Sequence, residues 1–107
     1  MQMLPFTLRT YTLPISVTST ASTSTALPNL GNTLRVVNAG PNIAYISVGS
    51  GSQTATVPNA TTTVTSVPVL AGSDVSFGIS NAAVLNISAI CDTNNTATLY
   101  VSVGDGA

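Results

Sequence analysis

Three carboxylates (Asp74, Asp92, Asp105), one thiol (Cys91), three phenols (Tyr11, Tyr45, Tyr100) and two guanidinium groups (Arg9, Arg35) make up the reactive inventory of this chain. Histidine, lysine, glutamate and tryptophan are absent. General acid–base catalysis draws on His or on paired Asp and Glu. The three Asp sit in or beside turn sequences: Asp74 after Gly72-Ser73, Asp92 before Asn94, Asp105 between Gly104 and Gly106. Asp in a turn ordinarily bonds its own backbone, and that is the expectation for all three. Cys91 has no His or Lys to lower its pKa, so the thiolate a nucleophile requires is not provided for. It alternates in phase with Leu85, Ile87 and Ala89, which places it on an inward face as a small apolar residue. As the one cysteine it can form no disulfide within the chain. The inventory therefore predicts no enzyme, no catalytic residue and no cofactor.

Metal and phosphate chemistry fare no better. One Cys and no His fall short of a zinc or other transition-metal site. Asp92-Thr93-Asn94-Asn95 offers oxygens of the kind calcium accepts, but a single carboxylate makes a weak ligand set. Gly49-Ser50-Gly51-Ser52 lacks the lysine and following helix of a phosphate-binding loop and reads as a hairpin turn. The tyrosines fall on separate predicted strands, which favours packing or interface roles over a base- or sugar-stacking platform.

Charge narrows the partners. Charged residues are 5% of the chain, against about 25% in an ordinary domain. Two arginines cannot neutralise the row of phosphates that nucleic-acid binding requires. They form no basic patch for an anionic membrane either. Ser and Thr supply 30 residues and Asn nine more, so the surface must be polar through hydroxyls and amides. A partner would be bound by shape, apolar contact and neutral hydrogen bonds. The start Met1-Gln2-Met3-Leu4-Pro5 lacks the basic and apolar regions of a signal peptide. No apolar run approaches the ~20 residues of a membrane helix. A protein made in the cytoplasm is expected.

The elements that must position these residues are strands. Thr, Val and Ile total 35 residues, whereas Lys and Glu are missing and Gln occurs twice. Phe6–Tyr11 reads as a first strand, interrupted at Pro14 and resumed by Ile15–Val17. Thr18–Thr25 has no apolar face and reads as a loop or poorly ordered arm. Thr33–Asn38 and Ile43–Val48 flank an Ala39-Gly40-Pro41-Asn42 turn and read as a hairpin. Gln53–Val57, Thr62–Val67, Asp74–Ile79, Leu85–Cys91 and Thr96–Val103 follow, with room for one helical turn at Ser80–Ala83. Eight or nine short strands at roughly ten-residue spacing predict an all-β fold: an antiparallel β-sandwich or jelly-roll-like barrel. The chain is long enough for one domain. Residues 1–26 form its N-terminal strand, arm and Ser/Thr-rich loop, and residues 27–107 its sandwich core. Within the arm, Met3, Leu4, Phe6 and Leu8 are the candidate partner-contact residues.

Three stretches, in order, resemble small head proteins of tailed bacteriophages: Leu34-Arg35-Val36-Val37-Asn38-Ala39-Gly40-Pro41-Asn42-Ile43-Ala44-Tyr45-Ile46-Ser47-Val48-Gly49, Val69-Leu70-Ala71-Gly72-Ser73-Asp74-Val75-Ser76-Phe77, and the ending Ala97–Ala107. The resemblance covers about residues 33 to 107. It is carried by turn and strand residues, with no functional site to transfer. It implies a β-sandwich or jelly-roll module, often a homotrimer, that decorates or cements the capsid exterior. The partners implied are the major capsid protein and further copies of the chain. Other readings of the same residues are another virion part (tail, connector or fibre) and a carbohydrate- or surface-binding β module.

Overall fold

In a computed structural model of the chain the described residues are 7–22, 24–27, 31–58, 64, 66–79 and 85–105, with 7–10 described through their backbone. They form eight strands: β1 Thr7–Val17, β2 Thr25–Ala26, β3 Thr33–Pro41, β4 Ala44–Gly49, β5 Val67–Val69, β6 Asp74–Gly78, β7 Asn86–Cys91 and β8 Ala97–Asp105. A front sheet has the order β1-β8-β3-β6 and a back sheet the order β2-β7-β4-β5. All pairings are antiparallel. First pairs with last, second with seventh, third with sixth and fourth with fifth. This is one long antiparallel ribbon rolled up on itself, joined along β3–β8 and β4–β7. It is the jelly-roll form of the expected sandwich.

Alternation builds the core. Ile15 and Val17 of β1, Leu34 and Val36 of β3, and Leu99, Val101 and Val103 of β8 point inward from the front sheet. Ala44 and Ile46 of β4, Val69 of β5, and Ile87, Ala89 and Cys91 of β7 meet them from the back. The core thus takes in side chains from before residue 27. Each fully buried Val, Leu or Ile contributes about 1.5–3 kcal/mol. Cys91 is where its phase put it, and burial, followed by the nearby Asp92 charge, raises its thiol pKa.

Several local expectations are overturned. The Thr33–Asn38 and Ile43–Val48 segments are not a hairpin: β3 lies in the front sheet and β4 in the back. The Gly40-Pro41-Asn42 turn is a corner between sheets. Asn38, fully buried, holds it. Its Nδ2 donates to Asn42 O at 2.9 Å and to Val69 O at 2.8 Å, and its Oδ1 accepts from Gly40 N at 2.7 Å. One amide thus satisfies the backbone groups that a change of sheet leaves unpaired.

Gln53–Val57 is not a strand either. It crosses the outer side of the back sheet as a strap, with Ala55 buried against it. Ser47 and Ser88 alternate with inward residues, so they face outward, yet both are buried beneath the strap. Ala55 N donates to Ser88 Oγ at 3.1 Å, and Ser47 Oγ donates to Gln53 Oε1 at 2.8 Å.

Residues 18–22 and 24 of the Ser/Thr-rich stretch are a loop, as expected, but one tied along β7. Cys91 N donates to Thr18 O and Ser22 N to Ala89 O, both at 2.8 Å. Ala89 N donates to Ser22 Oγ, and Ser88 Oγ to Ser22 O, again at 2.8 Å. Hydroxyls take over where the regular ladder fails, which is why a segment without an apolar face can still be held. Pro14 does not interrupt β1. It pairs opposite Tyr100 on the sheet edge, where a missing N–H is tolerated. The register shift falls earlier, between Leu8 and Thr12. Pro68 likewise lies inside the edge strand β5. Most of Thr62–Val67 and all of Ser80–Ala83 lie outside the described residues.

Candidate functional site

The two outer faces of the sandwich differ. On the back face the strap covers Ser47 and Ser88. No described residue covers the front face, and register fixes what it presents. Thr12 pairs with Ser102, Ser102 with Arg35 and Arg35 with Ser76, which makes one row across four strands. The adjacent row is Pro14, Tyr100, Val37 and Asp74. Three apolar side chains thus lie in line across β1, β8 and β3. Tyr100 is 43% exposed at the centre of this stripe. Thr98 and Ser102 flank Tyr100 along β8, and Thr12 Oγ1 and Ser102 Oγ are 2.9 Å apart.

Within these two rows the charges are paired. Arg35 Nη2 donates to Asp74 Oδ2 at 2.6 Å, with both side chains nearly half exposed. An exposed pair of this kind adds about 0–1 kcal/mol of stability. Its effect here is to pair the two charges in these rows, whose other side chains are hydroxyls and apolar groups. Asp74 therefore departs from its expected role. It opens β6 and reaches across to β3 rather than bonding its own turn.

The remaining residues singled out by type fall as follows. Asp92 opens the β7–β8 turn, where Asn95 N donates to Asp92 O at 2.9 Å. Its carboxylate faces the Tyr45 hydroxyl, which donates to it across a long 3.5 Å. Burial, then the Asp92 charge, raises the Tyr45 pKa. Among the described residues no three His, Cys, Asp or Glu lie close enough together to hold a metal. Gly49-Ser50-Gly51-Ser52 leads into the strap, and Gly51 O accepts from Asn86 Nδ2 at 2.9 Å. The three tyrosines form no single platform, because Tyr11 and Tyr100 belong to the front sheet and Tyr45 to the back. Of the candidate arm, Met3, Leu4 and Phe6 lie outside the described residues. Leu8 is described through its backbone, which pairs with Gly104.

A second feature is internal. Where the edge strands β5 and β6 face each other, the sheets leave a cleft of about 340 Å³. Leu34, Ile46, Val48, Val67, Phe77 and Leu85 line it, with Gly78 and Ile79. No charged or polar side chain is among these described lining residues.

Sequence reasoning missed the stripe. Tyr100 is out of phase with Leu99, Val101 and Val103, which marks it as outward. Val37 is masked by its neighbour Val36, since alternation lets only one of the two face the core. Pro14 reads as a strand breaker until β1 is known to be an edge. No family model, curated protein or solved structure matches the chain.

Proposed function

We propose that this chain is a non-enzymatic virion structural protein, a decoration or cement protein that stabilises a phage head from the outside. The observation that carries this reading is the front face, which no described residue covers: its two rows hold one ion pair, Arg35–Asp74, and a stripe of Pro14, Tyr100 and Val37. A cement protein must add contact energy across capsid-subunit boundaries without chemistry. Such a surface can do so by apolar burial and hydroxyl contacts, with little mutual repulsion when many copies crowd together. Jelly rolls serve viral capsids and lectins alike, so the fold leaves the role open and the surface must decide it. The resemblance of residues 33–107 to phage head proteins points the same way. The major capsid protein is the proposed partner, the assembly a homotrimer, and the location the capsid exterior.

The test mixes the purified chain with undecorated heads. Binding that persists as salt is raised is expected, because few charges take part. Tyr100→Asp should weaken binding at least about tenfold, as a central aromatic anchor does, while leaving the circular-dichroism spectrum unchanged. Failure to bind heads at any salt concentration would sink the reading. An exposed tyrosine among hydroxyls also suits a sugar, so clear hits in a glycan array would promote the carbohydrate-binding alternative.

A further inference from the structure

The two sheets follow one plan. Counting on four strands from each, with β1 following β8, turns the front order β1-β8-β3-β6 into β5-β4-β7-β2, which is the back sheet read from its other edge. The match extends to residues. β8 carries Tyr100-Val101-Ser102-Val103-Gly104 where β4 carries Tyr45-Ile46-Ser47-Val48-Gly49. Tyr100 pairs with Pro14 of β1 on one side and Val37 of β3 on the other. Tyr45 pairs in the same way with Pro68 of β5 and Ile90 of β7. The inward neighbours correspond too: Ile15 and Val69 are both buried, as are Val36 and Ala89. We infer that the back row Pro68–Tyr45–Ile90 is a second contact surface, the counterpart of the front stripe, and that it takes a second subunit of the same partner. The inference rests on the reading of that partner as the major capsid protein.

The back row stands at the surface. Tyr45 and Ile90 alternate with buried Ala44, Ile46, Ala89 and Cys91, so they point outward. Pro68 is exposed and Tyr45 and Ile90 are half-buried, much as Pro14 is exposed and Val37 half-buried in front. Neither row needs its tyrosine or proline for the core, so their recurrence at matching positions points to a shared task. The prolines also say how a partner arrives. Each sits in an edge strand, where it removes an N–H that edge-to-edge pairing would use, and that directs contact to the faces. The match is not complete. Ser88 stands where the front has Arg35, and the strap lies over Ser88 and Ser47, so the back surface is the narrower one. The two rows lie on opposite faces of sheets stacked about 10 Å apart. Two flanking subunits would meet one row each, with the domain standing edge-on between them as a wedge. Two modest contacts on one rigid domain hold far more tightly together than either does alone.

Heads decorated with the full chain test this. A photoreactive benzophenone side chain placed at position 45, or in a second variant at position 100, should on illumination form an adduct with the major capsid protein in both cases. Tyr45→Gln keeps a donor for Asp92. It should weaken binding to heads about tenfold with an unchanged thermal melt, and Tyr100→Gln should weaken it at least as much. The double variant should bind more weakly than either. If Tyr45→Gln fails to fold, Pro68→Asp on the exposed edge strand takes its place. An adduct from position 100 with none from position 45, or wild-type affinity in the folded back-row variant, overturns the second surface and leaves the cement reading standing. An adduct from position 45 to another copy of the chain overturns it as well, and assigns the row to self-association. Adducts from position 45 alone, or from neither position on heads that hold the chain, overturn the two-sided wedge. A wild type that binds no heads overturns the cement reading and this inference together.

Discussion

Asn38 shows how much one side chain can hold in a domain with few charges. Its amide serves three backbone groups at the β3–β4 corner. Asn38→Ala should cost about 3 kcal/mol or more in urea denaturation, because buried donors and acceptors lose partners together. Asn38→Asp keeps the shape but sets a carboxylate against the carbonyls of Asn42 and Val69. It should be at least as damaging at neutral pH, and partly rescued in acid, where a protonated carboxyl can donate once. Cys91 and Tyr45 govern the alkaline side. Both are acids whose pKa is raised on folding, by burial first and by Asp92 second. The unfolded chain therefore gives up these protons at lower pH than the folded one. Stability should be insensitive to these groups in neutral solution and should fall as pH climbs above about 9. Denaturation midpoints against pH should show a shallower alkaline fall in Cys91→Ala than in the wild type.

At the scale of the elements, hydroxyls do work that strand ladders do elsewhere. Ser88 accepts from Ala55 N and donates to Ser22 O, joining strap, β7 and the β1–β2 connection. Ser88→Ala should destabilise by about 1–3 kcal/mol. Thr12→Ala, on the exposed front face, should stay within about 0.5 kcal/mol. Thermal melts of the pair check the contrast. The strands themselves were legible, because alternation and turn residues mark them wherever one face is buried: β3, β6, β7 and β8 fall close to where Val, Leu and Ile alternate. What could not be read was which strands are neighbours. Gly40-Pro41-Asn42 suits a hairpin and a corner equally, and only the buried amide of Asn38 separates them. The strap was hidden for a related reason. Gln53-Thr54-Ala55-Thr56-Val57 has strand-like composition, while its actual partners are scattered through the chain: Ser24, whose Oγ accepts from Gln53 N at 2.9 Å, Ser47 and Ser88. The candidate stripe was unreadable because it depends on register between β1, β8 and β3.

For the whole molecule, the rolled-ribbon pairing makes nearly every strand contact distant in sequence. Loop closure must precede each of them, so refolding from urea should be slow for the chain's size, in the millisecond-to-second range by stopped-flow fluorescence of the tyrosines. The same pairing also has a mechanical side. Thr7 stands opposite Asp105, so the sandwich begins and ends at one point. Tension applied through both of these ends would peel β1 from β8 one hydrogen bond at a time, whereas a load spread over the front face would meet all four strands together. The domain therefore bears load better through its face than through its ends.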